Sequence, residues 1–441
     1  MNIKKRIYLD HAATSPLLDE SMEEMVLSLK RDYGNPSSIH FPGKAAGSRL
    51  DEYRGRIKKS IELLMNHEKI ESALRVDSGR DVGFRDSAGV GNNGADVEDK
   101  MAGAGISGES ITGGRKGDEG CSWEVTFTSG GTEANVTSFL GILSARRLGR
   151  VVTTSIEHPS VLECGSLVKQ FGGELVLVAA EKTGLVDPES LLAEVDDSTV
   201  MVSMMSVNNE TGIIQPVAEV SRILKAKFPR VVLHTDAVQA LGNVPLAGIL
   251  KSADLVSLSA HKIGGPRGCG ALLRKRGVSI QPLICGGGQE DGMRSGTENV
   301  PAIGGFVKAV ESVTSSAEAR YSHMANLRWV LRGLICRGAG GLGIQVRVNE
   351  VPERQSPHIL SVSVPGVPSE ALTRALSQLG VDVSHGSACH SRKQRHSHVL
   401  RAMGLPSNWG TVRFSLSYAV SMEDVQSAAA AWVGCVKELK L

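Results

Sequence analysis

The chain has 441 residues, 41% of them hydrophobic and 4% aromatic, enough for two domains with ordinary aliphatic cores. Its formal net charge of +2 comes from interspersed acids and bases, which excludes the basic stripe of a nucleic-acid binder and a polybasic membrane patch. Small-molecule chemistry, with neither nucleic acid nor membrane as partner, is the class that remains.

The first segment, "MNIKKRIYLDHAATSPL", carries basic residues but lacks the apolar run of a signal peptide. No window approaches the ~18 apolar residues of a membrane span, so the cytoplasm is the expected location. Residues 66–120 hold a dozen glycines and a single aromatic, Phe84. That composition offers too little apolar surface to bury and predicts a flexible insertion. Short β-rich runs then alternate with helical patterns: "WEVTFTS" (123–129), "RVVTTSI" (150–156), "ELVLVAA" (174–180), "TVMVSMMSV" (199–207), "RVVLHTD" (230–236) and "DLVSLSA" (254–260). This alternation predicts an α/β layered sheet, largely parallel. "VAEVSRILKAK" sets Val217, Val220, Ile223 and Leu224 on one face of a crossover helix. From about residue 316 the pattern changes to helix, strands and a terminal helix, which predicts a smaller α+β domain. The expected division is a large domain over 18–315, with the insertion inside it, and a small domain made of 1–17 and 316–441.

In open α/β sheets, ligands collect beyond the carboxyl ends of the strands, and the suggestive residues lie there. "TFTSGGTEAN" closes a strand with Gly131 and Thr132 and starts a helix, a geometry that holds a phosphate; a Ser/Thr-capped turn has the same look. His158 in "SIEHPSV" ends a strand before proline, as many structural histidines do, and Asn209 in "SVNNETG" offers an amide that turns also favour. Asp236 in "LHTDAVQALG" closes an apolar strand, with Gln239 three residues on. The carboxylate suits a protonated heterocyclic nitrogen and the amide a phenolic oxygen, although Asp is also a common helix cap. Lys262 in "SLSAHKIGGPRG" follows a strand and precedes glycines that let the backbone pass close to a ring. A desolvated lysine there suits Schiff-base formation, and a solvated lysine in a glycine turn is the plain alternative. Seven cysteines are scattered without a CxxC pair, which argues against a disulfide framework and a zinc site. Cys389, between His385 and His390 in "VSHGSACHSR", reads either as an exposed, readily deprotonated thiol or as a small hydrophobic residue.

An amine, a carboxylate and a glycine–threonine helix start meet the demands of pyridoxal phosphate. The ordered set "YLDHAATSP", "YGNPSS", "TSGGTEAN", "EHPSV", "NNETGIIQP", "HTDAVQALG", "SAHKIGGPRG", "GGGQEDGMRSGTEN", "GSACHS" and "VRFSLS" resembles the pyridoxal-phosphate-dependent cysteine desulfurases and selenocysteine lyases of the class-V aminotransferase group. The resemblance implies a fold-type-I transferase and a homodimer. It also implies that Lys262 bonds to the cofactor, Asp236 partners the pyridine nitrogen, Gln239 reaches the ring hydroxyl and His158 stacks on the ring. Gly131, Thr132, Ser259 and His261 would surround the phosphate, with Thr297 reaching in from the other subunit. Asn209 and Arg413 would hold the substrate carboxylate, for which a guanidinium fork is apt, and Cys389 would accept sulfur as a persulfide while alanine leaves. The sulfur would pass on to an acceptor protein such as an iron–sulfur scaffold or a carrier. Three departures accompany the match: the insertion, the absence of Gly-Arg after "VRFSL", and His390 in "ACHS", where desulfurases tend to have threonine and selenocysteine lyases are similar. L-Selenocysteine is therefore the alternative substrate to L-cysteine, and a non-catalytic scaffold that keeps the fold is the alternative of another class.

Overall fold

A computed structural model describes residues 6–66, 122–146, 149–385 and 397–440. Nearly all of the 66–120 insertion, and Cys389 with His390, lie outside the described residues. The strands are β1 (Ile7–Tyr8), β2 (Trp123–Thr128), β3 (Arg150–Thr154), β4 (Glu174–Val178), β5 (Thr199–Ser203), β6 (Val232–Asp236), β7 (Leu255–Ser259), β8 (Gly270–Lys275), β9 (Arg347–Val348), β10 (Ile359–Pro365), β11 (Val381–Asp382) and β12 (Trp409–Ser415).

Seven of them form one sheet in the order β2-β8-β7-β6-β5-β3-β4. β4, β3, β5, β6 and β7 run parallel, and β8 runs antiparallel to both β7 and β2. The six strands expected from β-rich runs are all present, each trimmed at one or both ends. β8 is the addition: its "GALLRK" starts on a glycine and shows no alternation, because its first four residues are buried. A strand covered on both faces loses the period-two signature.

Two layers cover the sheet. On one face the helices Phe41–Asn66 and Val300–Ser315 bury Tyr53, Ile57, Ile61, Phe306 and Val310 against Trp123, Phe127, Val256 and Leu258. On the other, the helix Gly131–Arg146 buries Phe139, Ile142 and Leu143 against Val151, Met201 and Leu272. The crossover helix spans Val217–Lys227 with Val217, Val220 and Leu224 buried as the spacing predicts. A separate core joins β10 and β12 to the helices Ala317–Gly341, Ser369–Gln378 and Met422–Lys440 around Trp432, Phe414 and Leu331. β1 pairs in parallel with β11, which ties the N-terminal segment to this second core. Among the described residues no helix is long and apolar enough to cross a membrane.

Candidate active site

Five strands of the large sheet end at one place. The turn after β2 delivers Gly131 and Thr132, the turn after β3 His158 and Ser160, the segment after β5 Met205 and Asn209, β6 its last residue Asp236 with Gln239 beyond, and β7 its last residue Ser259 with His261 and Lys262 beyond. All of these, with Ala12 and Ala13 of the N-terminal segment and Arg413 of β12, line a cavity of about 230 Å³. Strand ends that splay toward their loops leave such a cleft, and the loop residues lie on its walls.

Lys262 sits on a single helical turn, Ala260–Lys262, and its Nζ donates to the carbonyls of Ala12 and Ala13, both at 2.7 Å. The glycines after it answer a steric need. Gly264 takes φ +84°, and a Cβ there would come 2.5 Å from Leu18 Cγ, so the chain turns back only without a side chain. Gly131 is equally confined: a Cβ would stand 2.7 Å from Val238 Cγ2.

Asp236 is 6% exposed. Its Oδ1 accepts from Val238 N–H at 3.0 Å and its Oδ2 from Asn135 Nδ2 at 2.8 Å. Gln239 donates through Nε2 to Ala12 O at 2.9 Å, and its Oε1 lies 3.2 Å from Nε2 of the buried His358. Burial pushes His358 down to about 3, so this imidazole is neutral and donates to the amide oxygen. Burial likewise lowers His261, to about 4, with the neighbouring Lys262 and Arg267 charges acting in the same sense.

Arg413 is 2% exposed. It donates to Asn209 O and to Asp10 Oδ1, each at 2.7 Å, while its Nε has no partner among the described residues. A cation fixed this way, with donor capacity left over, suits a carboxylate ligand. Below the site, Glu157 has no exposed surface and accepts from Met205 N–H and the Thr154 hydroxyl, both at 2.8 Å.

The cavity thus gathers ten of the expected site residues. Thr297 is exposed and lies outside it, and Cys389 lies outside the described residues. The motif reading did not single out Asn135, Ser160, Asp10, Glu157 or His358. All but His358 stand within quoted motifs, "YLDHAATSP", "TSGGTEAN" and "SIEHPSV", but nothing in a linear motif marks which of its members bond to distant partners. Among the described residues no cluster of three or more His, Cys, Asp or Glu could hold a metal.

Residues 120–427 match the model of the family described as aminotransferase class-V. Over 428 residues, 96% of this chain and 92% of the relative, the sequence is 33% identical to cysteine desulfurase IscS of Dictyoglomus turgidum. The chain belongs to the class-V aminotransferase family, among its cysteine desulfurases. Putative cysteine desulfurase IscS 1 of Bacillus subtilis is 33% identical over 440 residues, 99% of this chain and all of that one. Among solved structures, a NifS-like protein is similar at TM-score 0.76 and 30% identity, covering 98% of this chain and 100% of its own. Desulfurases of this family depend on pyridoxal phosphate, and the fold-type-I architecture of the family accounts for the α/β sheet described above.

Proposed function

We propose that the protein removes sulfur from L-cysteine, releasing alanine and passing the sulfur to the thiol of Cys389. The observation that carries this reading is the convergence of the Lys262 amine, the Asp236 carboxylate and the Arg413 guanidinium on one cavity. The same cavity fits pyridoxal phosphate. Gly131, Thr132, Ser259 and His261 offer a side-chain-free approach and hydrogen-bond donors at the phosphate end. Asp236, its negative charge already stabilised by two donors, suits the pyridine nitrogen, with Gln239 beside the ring hydroxyl and His158 against the ring.

The cofactor, once joined to Lys262, supplies an electron sink at the substrate Cα. The protein's residues do the rest. Arg413 and Asn209 hold the substrate carboxylate. The Lys262 amine, freed by substrate, takes the Cα proton. The Cys389 thiolate forms a bond to the substrate sulfur as the carbon–sulfur bond breaks; that electron pair stays on Cβ, which takes a proton, and the Lys262 ammonium returns a proton to Cα so that alanine leaves.

The relatives named above are cysteine desulfurases, which favours L-cysteine over L-selenocysteine as substrate. We further assign the large domain to 18–315 and the small one to 1–17 and 316–441, a division supported by the separate core around Trp432 and by the β1–β11 pairing. The active form is read as a homodimer, with Thr297 completing the partner's phosphate site. The free state of Cys164, Cys269, Cys285, Cys336 and Cys435 is in keeping with a reducing cytoplasm. The sulfur acceptor is read as a partner protein, such as an iron–sulfur scaffold.

The test is turnover of L-cysteine and L-selenocysteine side by side, with mass spectrometry of Cys389. Alanine from L-cysteine and an added sulfur on Cys389 are expected. Lys262→Ala should lose the visible absorbance of bound cofactor together with a factor of roughly 10²–10⁴ or more in rate. A Lys262→Ala variant that still turned over at the wild-type rate would end the proposal.

A further inference from the structure

A line of hydrogen bonds runs along the cavity wall between two groups whose sequence positions give no sign of a connection. Asn135, 1% exposed on the helix Gly131–Arg146, donates from Nδ2 to Asp236 Oδ2 at 2.8 Å and to Ser160 Oγ at 2.9 Å. Ser160 Oγ lies 2.7 Å from His158 Nδ1, and the Ser160 backbone N–H donates to that same nitrogen at 3.1 Å.

These contacts fix the protons. A backbone N–H only donates, so Nδ1 is an acceptor and the neutral ring carries its proton on Nε2. Because Asn135 already donates to Ser160 Oγ, the hydroxyl proton is directed at Nδ1. The amide orientation is fixed too, since turning it over would set its carbonyl oxygen against the Asp236 carboxylate. In the orientation found, Asn135 Oδ1 is buried without a hydrogen-bond partner among the described residues. A buried, unpaired carbonyl is unfavourable, so this position holds an asparagine for its two N–H donors.

We propose that Asn135 and Ser160 are positioning residues that link Asp236 to His158 and hold the His158 ring in its Nε2–H form. The ring then presents to the cavity a donor that can give up a proton, and the same line ties its orientation to the carboxylate that pairs with the cofactor nitrogen. The inference rests on the assignment of His158 and Asp236 as cofactor-facing groups.

The experiment uses the full chain, labelled with 15N-histidine, with and without bound pyridoxal phosphate. The His158 ring resonances are identified by their loss in His158→Gln. Wild type should show Nδ1 unprotonated and Nε2 protonated. Ser160→Ala and Asn135→Ala should each shift the Nδ1 resonance and weaken cofactor binding by roughly tenfold, the worth of one buried hydrogen bond. The double variant should go no further than the larger single change, and Ser160→Thr should keep the wild-type resonance. A proton on Nδ1 in wild type, or shifts that add in the double variant, would overturn the line. Should Asn135→Ala not fold, Ser160→Ala and Ser160→Thr still decide the outcome. A wild-type protein that bound no cofactor would count against the functional reading, while the ring resonances of the cofactor-free protein would still judge the hydrogen-bonded line.

Discussion

Glu157 precedes His158 and carries a strongly perturbed carboxyl. Burial raises it to about 8, opposed by hydrogen bonds from Met205 N–H and Thr154 and assisted by the nearby Asp236 charge. The folded protein therefore holds a proton that the unfolded chain releases above about 4.5. Where the folded state binds more protons, stability falls as pH rises. The contribution is full below about 4.5 and is lost as pH climbs through about 8. Glu157→Gln should flatten the decline of Tm between pH 5 and 8, and thermal melts across that window would measure it; an unchanged slope would exclude Glu157 as its source. Arg413 is as sensitive to its exact side chain. Lysine keeps the charge but lacks the fork that reaches Asp10 and Asn209 together. Arg413→Lys should raise KM for L-cysteine by about tenfold or more, with kcat less affected, in steady-state assays. Such residues as Asp236 and Lys262 were legible from sequence because Asp236 ends a readable strand and Lys262 follows another by three residues. Asp10 and Glu157 were not, since Arg413, which holds Asp10, and Met205, which donates to Glu157, come from distant segments.

At the level of elements, the site depends on turns that tolerate no substitution. The turn after Lys262 is set by Gly264, whose φ of +84° and contact with Leu18 leave no room for a methyl group. Gly264→Ala should cost ~1–3 kcal/mol from backbone strain alone and lower cofactor occupancy, which denaturant melts and absorbance would show. The loop before the helix Val300–Ser315 is held from below instead. Glu290, with φ +52°, pairs with Arg54 and accepts Phe127 N–H at 2.8 Å. This buried pair fixes the loop that carries Thr297 to both β2 and the helix Phe41–Asn66. "GGGQEDGMRSGTEN" is recognisable as a motif, yet its anchor is an arginine 236 positions away in sequence. β8 shows the complementary limit: a strand buried on both faces, between two neighbours of opposite direction, has no alternation to read.

For the whole molecule, the unexplained surface is the segment that leads into the helix Phe41–Asn66, where Tyr33, Ile39 and Phe41 are 74%, 88% and 85% exposed. Three large exposed apolar side chains in one short segment are the kind of surface that a partner covers, and under the proposed homodimer a second copy is the occupant. Sedimentation should give a dimer, and the double substitution Ile39→Asp with Phe41→Asp should shift it to monomer with loss of activity; a wild-type monomer at full activity would refute the homodimer. By itself, the sequence determined six strands of the large sheet in their chain order, the crossover helix and the family, because these are written in local periodicity and short motifs. Only the tertiary structure decided how the strand ends converge, which carbonyls receive the Lys262 amine, and which side chain links His158 to Asp236. Those contacts join residues up to hundreds of positions apart, and a linear pattern carries no record of the distances between them.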